Sequence, residues 1–249
     1  MNAGYEVHAG LSQGEGAGVR VLDLFSGIGG FALGLERAGF KTAAFVEIDP
    51  FCQRVLTTHW PGVPIHQNIQ SLPLEGIGSV DVVCGGFPCQ PFSNASRGRR
   101  TAIDLWPEMQ RVVAAVQPKI VIAENVSKAP IERAASFFRS MGLSCNARRI
   151  SAHDIGADHL RDRWWAIAHP YEDRELHRAL DAEMAVLLAL RGHLWGAQPF
   201  RAAVRISDGL PDRVDRRGVK ALGNAVLPQI PEAIGRALLA TAARRGVAA

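Results

Sequence analysis

The sequence of 249 residues predicts an α/β fold with a doubly wound, mostly parallel sheet and a small inserted module. Short apolar segments alternate with segments of helical periodicity, as expected when helices cover both faces of a parallel sheet. Turn-forming glycines follow the first apolar segment, and carboxylates end several later ones. Because ligands of such folds bind at the carboxyl ends of the strands, we expect these polar residues to share one edge of the sheet.

The elements follow in order from Val19 onward. Residues 1–18 are rich in Gly, Ala and Ser without apolar periodicity, so we expect a flexible tail there. Runs of β-branched and other apolar residues predict strands, and apolar residues three or four positions apart predict helices. The predicted strands are residues 19–25, 42–47, 80–84, 119–124, 144–151 and 164–169, and the predicted helices are residues 30–38, 50–59, 103–116, 131–141, 172–190 and 231–245.

The charge is uneven along the chain. Residues 1–132 hold 10 basic and 12 acidic side chains, whereas residues 133–249 hold 18 and 12, for a total of +4. The chain has 24 Arg and only 4 Lys, and the planar arginine fork suits phosphates and base edges. The second half is therefore predicted to face a polyanion, although an ordinary solvated surface remains an alternative.

Other classes are disfavoured by composition. The four cysteines form no CxxC pair and no His/Cys cluster, which argues against a disulfide framework or a metal site. No apolar stretch approaches the roughly 18 residues of a membrane span, and the N-terminus has no signal-peptide pattern. We therefore expect a cytoplasmic protein that does not bind membranes.

The first predicted strand runs into a glycine-rich turn, Asp23-Leu24-Phe25-Ser26-Gly27-Ile28-Gly29-Gly30. Glycines let the backbone turn sharply and let a ligand approach the following helix. Glu47 ends the next strand about twenty residues later, where a carboxylate can hold a ribose. An adenosine-containing cofactor fits, but the pattern does not separate NAD from S-adenosyl-L-methionine, and a turn that only packs a helix on the sheet remains an alternative.

Two further strand ends carry candidate reactive groups. Cys89 lies between two prolines in Gly86-Phe87-Pro88-Cys89-Gln90-Pro91-Phe92-Ser93, so its thiol is presented by a rigid loop, and the arginines at positions 97, 99 and 100 favour thiolate. Glu124 ends an apolar strand before Asn125-Val126. Burial there raises the pKa of a carboxyl group, which makes Glu124 a candidate general acid. A helix-capping glutamate is the alternative interpretation.

In combination and in order, these motifs resemble those of the DNA (cytosine-5)-methyltransferase family. The glycine turn resembles its cofactor motif, residues 86–93 its nucleophile motif and residues 124–126 its acid motif. His159-Leu160-Arg161-Asp162-Arg163 is similar to its Gln-x-Arg-x-Arg motif, and residues 220–229 resemble its final motif. The resemblance covers residues 19–169 and 207–235 and implies a Rossmann-like methyltransferase that uses S-adenosyl-L-methionine and no metal.

The family resemblance implies methyl transfer to carbon 5 of a cytosine swung out of duplex DNA. Cys89 would add to carbon 6 and Glu124 would protonate N3, while Arg163, together with Arg161, would hold the base oxygen and the carboxylate. The implied cofactor-binding residues are Phe25, Ser26, Gly27, Gly29, Gly30, Glu47, Ile48, Asn68, Pro88 and Asn224.

Three features depart from the family pattern. Asn68 stands where the family usually has an aspartate facing the adenine amino group, and we expect its amide still to accept that hydrogen bond, with weaker binding at most. His159 replaces the usual glutamine, which mainly affects packing of the arginine strand. Only 56 residues separate Arg163 from Lys220, fewer than the family usually has in its recognition region.

The resemblance also predicts the organisation and the partners. Residues 1–18 are a flexible tail, 19–169 a cofactor-binding catalytic domain, 170–217 a small target-recognition segment, and 218–249 a C-terminal segment that returns to the catalytic domain. Double-stranded DNA is the expected partner of a monomeric enzyme, and a cognate restriction endonuclease is a candidate partner. The alternatives are methylation of transfer RNA, a DNA-binding regulator without turnover, and a nicotinamide oxidoreductase.

Overall fold

The computed structural model describes residues 18–88, 104–191, 218 and 221–245. These residues form one seven-stranded sheet with helices on both faces, so the predicted α/β class is confirmed. The strands are β1 Arg20–Leu24, β2 Lys41–Val46, β3 Ile65–His66, β4 Val82–Gly86, β5 Ile120–Asn125, β6 Ser144–Ser151 and β7 Asp162–His169. The helices are α1 Gly30–Arg37, α2 Pro50–His59, α3 Trp106–Val116, α4 Lys128–Ser140, α5 Asp173–Ala189 and α6 Gln229–Arg244.

The observed boundaries differ from the predicted ones in a few places. β3 was missed because two residues are too few to show a strand period. α4 begins at Lys128 rather than at residue 131, since Pro130 fits the first helical turn, where its missing N–H would have no intrahelical partner. α3 begins at Trp106, and residues 101–103 of the predicted helix lie outside the described residues.

The strand order is β3-β2-β1-β4-β5-β7-β6. Every pairing is parallel except those of β7, which runs antiparallel to both β5 and β6. The order reverses at β1, whose neighbours are β2 and β4, and such a switch point leaves a crevice at the carboxyl ends of the strands. Because β7 is reversed, its first residues lie at this same edge.

The core has two layers, one on each face of the sheet. Along β4, Cys84 belongs to the layer shared with α1, α5 and α6, whereas Val83 belongs to the layer shared with α3 and α4. Both side chains are fully buried, as expected for a strand covered by helices on both sides. The alternation fixes the register of the strands and therefore the positions of the residues that follow them.

α5 is part of this core. Leu176, Leu180 and Met184 of this helix, which belongs to the predicted recognition segment 170–217, are buried in the same layer as α6, so the inner face of the helix is part of the core. Residues 192–217, the rest of that predicted segment, lie outside the described residues. No described helix is long and apolar enough to cross a membrane.

The C-terminal segment packs against the first helix. α6 packs on α1, and the chain that precedes α6 runs directly over two glycines of α1. A Cβ atom on Gly30 would lie 2.3 Å from the carbonyl oxygen of Val226, and one on Gly34 would lie 2.2 Å from that of Pro228. Both distances are shorter than any real contact, so these two glycines allow the return of the chain.

Candidate active site

A cavity of about 610 Å³ opens at the carboxyl edge of the sheet. Its wall combines the ends of β1, β2 and β3 with the ends of β4 and β5 and the start of β7, so it occupies the switch point of the fold. The predicted site residues that line it are Phe25, Gly27, Glu47, Ile48, Asn68, Pro88, Glu124, Arg163 and Asn224.

The glycine turn forms one wall of this cavity. Phe25 and Gly27 both have φ near 55°, in the left-handed region. A Cβ atom on Gly27 would meet nothing within 4 Å, so the glycine is required by the backbone conformation and leaves space for a ligand. Ser26 is buried: its hydroxyl donates to the carbonyl oxygen of Asp23 at 2.7 Å and accepts from the N–H of Val46 at 3.2 Å.

The other two predicted glycines face protein rather than the cavity. A Cβ atom on Gly29 would lie 2.5 Å from the ring of Trp60, and Gly30 lies against Val226 as described above. The alternative interpretation, in which the glycines pack a helix, therefore describes Gly29 and Gly30. Gly27 alone of the three lines the cavity.

The geometry around Glu47 fits a nucleoside. Its carboxylate accepts the N–H of Gly27 at 2.6 Å and the N–H of Asp49 at 2.7 Å, one on each oxygen. A carboxylate has about four acceptor positions, so two remain for the hydroxyls of a ribose. Ile48 lines the cavity with 71% of its surface exposed, and an apolar side chain so placed can contact a purine ring. The residues present therefore fit the adenosyl part of S-adenosyl-L-methionine.

Asn68 and Asn224 both line the cavity. Asn68 follows β3, and its Oδ1 accepts the N–H of Gln70 at 3.0 Å. Asn224 belongs to the segment that precedes α6 and lines the cavity from there. Both positions agree with the predicted cofactor contacts, which remain predictions.

Glu124 and Arg163 form an ion pair in the same cavity. The guanidinium Nε lies 2.8 Å from the carboxylate Oε1, and the carboxyl side chain is only 10% exposed. Burial raises the pKa of Glu124 to about 7, although Arg163 and Arg161 both act to lower it. Glu124 is therefore an acid that is partly protonated at neutral pH.

Neighbouring backbone allows this placement. Gly86 pairs with Glu124 across the sheet, and a Cβ atom on Gly86 would lie 2.7 Å from the glutamate Oε2. On the other side, β7 pairs Trp165 with Glu124 and brings Arg163 to the carboxyl edge. β5 therefore lies between β4, which is parallel to it and leaves space at Gly86, and β7, which is antiparallel to it and begins at the edge where β5 ends. This arrangement brings Arg163 next to Glu124.

Arg161 binds elsewhere than predicted from the family motif. Its two terminal nitrogens donate to the carbonyl oxygens of Gly223 at 2.8 Å and Ala225 at 2.6 Å. These two residues flank Asn224. Arg161 therefore holds the backbone of the returning segment, and it is not among the residues that line the cavity.

Cys89 lies outside the described residues, but Phe87, Pro88 and Leu105, which the structure describes on either side of residues 89–103, are held by hydrogen bonds near Glu124. The amide of Asn125 donates to the carbonyl oxygen of Phe87 at 2.8 Å, and the N–H of Leu105 donates to that of Pro88 at 3.3 Å. Pro88, bonded to Cys89, lines the cavity. Asn125 has no role predicted from the sequence, and its position directly after Glu124 is the signal that could have identified it.

Asp23 is a buried acid that sequence reasoning did not single out. It is fully buried below the glycine turn, and neither of its carboxyl oxygens has a hydrogen bond of ordinary geometry within the described part of the chain. Burial raises its pKa to about 8, against the smaller opposing effects of Cys84 and the Ala32 backbone. The sequence signal was a carboxylate in an otherwise apolar strand.

The family model described as C-5 cytosine-specific DNA methylase matches residues 19–185. Type II methyltransferase M.HgiBI of Herpetosiphon aurantiacus is 35% identical over 157 residues, covering 58% of this chain and 36% of the relative. Type II methyltransferase M1.HphI of Haemophilus parahaemolyticus is 36% identical over 165 residues, covering 57% and 43%. The chain therefore spans less than half the length of these relatives.

A solved structure has the same fold. The crystal structure of the S. pombe Dnmt2 methyltransferase superimposes with a TM-score of 0.53 over 64% of this chain and 55% of that chain, at 19% sequence identity. At this identity the likeness concerns the fold alone.

Proposed function

The chain belongs to the C-5 cytosine-specific DNA methylase family, and on this basis we propose that it transfers a methyl group from S-adenosyl-L-methionine to carbon 5 of cytosine in duplex DNA. One observation carries the proposal. A protonatable acid paired with an arginine shares a single cavity with a nucleoside-binding carboxylate, Glu47, and with Pro88, the residue bonded to Cys89.

The nucleophile and the acid act on the same ring. The thiolate of Cys89 attacks carbon 6 of cytosine and forms a carbon–sulfur bond, and the displaced electron pair is neutralised when Glu124 delivers its proton to N3. Arg163 holds the carboxyl group in place and stabilises it once it has lost the proton. Carbon 5, made nucleophilic by this addition, would then bond to the methyl group that the cofactor supplies. Carbon 5 finally loses its proton to a general base, the electron pair of that C–H bond expels the thiolate from carbon 6, and N3 returns its proton to the Glu124 carboxylate.

Other residues hold the cofactor, which when bound supplies an electrophilic methyl group. Glu47 binds the ribose hydroxyls, Ile48 and Phe25 contact the purine, and Gly27 leaves the space for close approach. Asn224 lines the cavity from the segment before α6, and Arg161 holds the backbone of its two neighbours, Gly223 and Ala225.

The proposal extends to the partners and the cellular role. The base must leave the stack for both faces of its ring to be reached, so the substrate is a flipped cytosine. Type II relatives suggest restriction-modification, and hence a cognate endonuclease. We propose a monomeric enzyme in the prokaryotic or virus-infected cytoplasm, with target recognition by the arginine-rich residues 170–217.

The first test measures transfer of labelled methyl groups to duplex DNA and, in parallel, to transfer RNA. Cys89→Ser is expected to abolish transfer, and DNA containing 5-fluorocytosine is expected to trap a denaturation-resistant adduct with the wild type only. Transfer by the Cys89→Ser protein would show that the nucleophile is misassigned. Transfer to RNA alone would replace the DNA substrate with the RNA alternative.

The second test concerns the acid. Glu124→Gln keeps the shape and one acceptor for Arg163 but removes the proton, so we expect kcat to fall by about 10²-fold or more, as is typical for loss of a general acid. Cofactor affinity, measured by calorimetry, should change little. Glu132→Gln, on the exposed face of α4, is the matched control. Equal losses in turnover and cofactor affinity would mean that Glu124 is structural.

A further inference from the structure

Asn125 holds the chain two residues before Cys89. The residue is 4% exposed and ends β5, directly after Glu124. Its Nδ2 donates to the carbonyl oxygen of Phe87 at 2.8 Å, and its Oδ1 accepts the N–H of Ser127 at 3.1 Å. One contact needs a donor and the other an acceptor, so the two together fix the orientation of the side-chain amide.

A second contact holds the chain that follows residues 89–103. Arg133 of α4 donates through Nη2 to both carboxylate oxygens of Asp104, at 2.9 and 3.2 Å. Asp104 also accepts the N–H of Trp106 at 3.0 Å, at the start of α3. The side chains of the ion pair are 47% and 29% exposed, so the pair contributes little to the stability of the whole protein. Its effect is to fix Asp104 to α4.

The chain before residues 89–103 also contacts the chain after them. The rings of Phe87 and Trp106 are both buried and pack with their centroids 5.1 Å apart. Beside them, the N–H of Leu105 donates to the carbonyl oxygen of Pro88 at 3.3 Å. The described residues on the two sides of this range therefore form one packed unit.

We infer that residues 125–133 position the nucleophile relative to the acid by holding the described chain on both sides of residues 89–103. Asn125 holds the chain before this range, and Arg133 holds the chain after it. The inference rests on the proposed function, because it requires Cys89 and the acid to act on one ring. Both residues act through the nucleophile and are positioning residues.

The physical reason is the distance that the reaction demands. Pro88 lines the cavity and is bonded to Cys89, so the position of Pro88 limits where the thiol can lie. Residues 125–133 begin directly after Glu124, so both contacts start from the chain that carries the acid. Displacing a reacting group by about 1 Å can slow a reaction about 10²-fold. Loss of either contact should therefore slow formation of the carbon–sulfur bond without weakening cofactor binding.

Asn125→Asp tests the contact before residues 89–103. The variant keeps the shape of the side chain and the acceptor for Ser127, but it sets a carboxylate against the carbonyl oxygen of Phe87. Formation of the adduct with 5-fluorocytosine in DNA should slow by about tenfold to a hundredfold, as expected when a buried acceptor is left without its donor.

Arg133→Met tests the contact after residues 89–103. It keeps an apolar stem beside Trp106 and removes the charge that holds Asp104. Adduct formation should slow by about threefold to fivefold, the range expected for a partly exposed ion pair, and Arg133→Lys should recover part of the rate. Glu108→Gln breaks the ion pair of Glu108 with Arg111 on α3, which is similarly exposed, and is the matched control.

Three measurements separate positioning from general damage. The rate of adduct formation is measured in a single turnover at saturating DNA and S-adenosyl-L-methionine, and it should fall in Asn125→Asp and Arg133→Met only. The affinity for S-adenosylhomocysteine, measured by calorimetry, should stay within about twofold of wild type. Amide hydrogen exchange at Leu105, measured without DNA, should be faster in both variants because its bond to Pro88 opens more often.

Two results would overturn the inference while leaving the proposed function intact. If either variant formed the adduct at the wild-type rate, the contact that it removes would not position the nucleophile. If the cofactor affinity fell by the same factor as the adduct rate, the residues would support the whole site. Arg133 is exposed, so its variant tests the inference even if Asn125→Asp does not fold. A wild type that forms no adduct would instead refute the proposed function, and the inference with it.

Discussion

Replacing Asp23 with Asn is expected to change how the stability of the protein depends on pH. Asp23 is fully buried, and burial raises its pKa from 3.8 to about 8. In the unfolded chain the carboxyl group releases its proton near the ordinary value, so between these two pH values the folded state holds one proton more than the unfolded state. The free energy of unfolding therefore falls as pH rises through this window.

The size of the effect follows from the shift. One pKa unit corresponds to about 1.4 kcal/mol, so a shift of about four units corresponds to about 6 kcal/mol lost by the time pH exceeds the folded pKa. That is comparable with the whole stability of a typical domain, about 5–15 kcal/mol. Local opening or water entry would relieve part of it, so about 6 kcal/mol is an upper bound.

Urea unfolding of wild type and Asp23→Asn, at about pH 5.5 and about pH 8.5, measures the difference. The variant carries no proton to lose at this position, so its stability relative to wild type should rise by several kcal/mol across the interval. Glu124 titrates in both proteins and cancels in the comparison. Asp158→Asn, at an exposed position, is the control and should leave the pH dependence unchanged. A difference between Asp23→Asn and wild type that is independent of pH would refute the reasoning.

Two further predictions concern the returning segment. Arg161→Ala removes two charge-assisted hydrogen bonds to the backbone around Asn224. The cofactor Kd should therefore rise about tenfold, with a smaller change in kcat. Arg161→Lys should restore part of the lost cofactor affinity. Arg163→Ala, its neighbour on the strand, should instead lower mainly kcat; equal profiles for the two would contradict the division of roles. Gly34→Ala places a methyl group against the carbonyl oxygen of Pro228 and should reduce stability by about 1–3 kcal/mol in urea unfolding. Gly76→Ala, with open space around it, should be neutral.

Much of the edge that carries the site could be predicted from sequence. Glu47 and Glu124 each end an apolar segment, and in a parallel sheet such ends share one edge, so their proximity follows from strand pattern alone. The direction of β7 could not be predicted in this way, because an apolar run has no signal for parallel or antiparallel pairing. The pairing of Arg163 with Glu124 was therefore predicted by the family resemblance and not by the strand pattern.

The contacts that were missed or reassigned depend on chain segments far apart in sequence. Arg161 donates to carbonyl oxygens more than 60 residues away. Because every residue has a backbone carbonyl, the sequence does not indicate which of them accepts these hydrogen bonds. Gly30 likewise meets a carbonyl oxygen of Val226.

The start of the reversed strand β7 connects two parts of the site, the acid Glu124 and the backbone around Asn224. Arg161 lies immediately before β7 and Arg163 lies within it, so both side chains start from the beginning of this strand. Arg163 binds the acid at the base end, while Arg161 binds the backbone around Asn224 at the cofactor end. A displacement of this strand start would therefore shift Arg163 relative to Glu124 and, through Arg161, the segment that carries Asn224. If the two ends are coupled in this way, Arg161→Ala should also weaken the effect of bound S-adenosylhomocysteine on the pKa of Glu124, whereas an uncoupled site would show the same ligand-induced shift in both proteins.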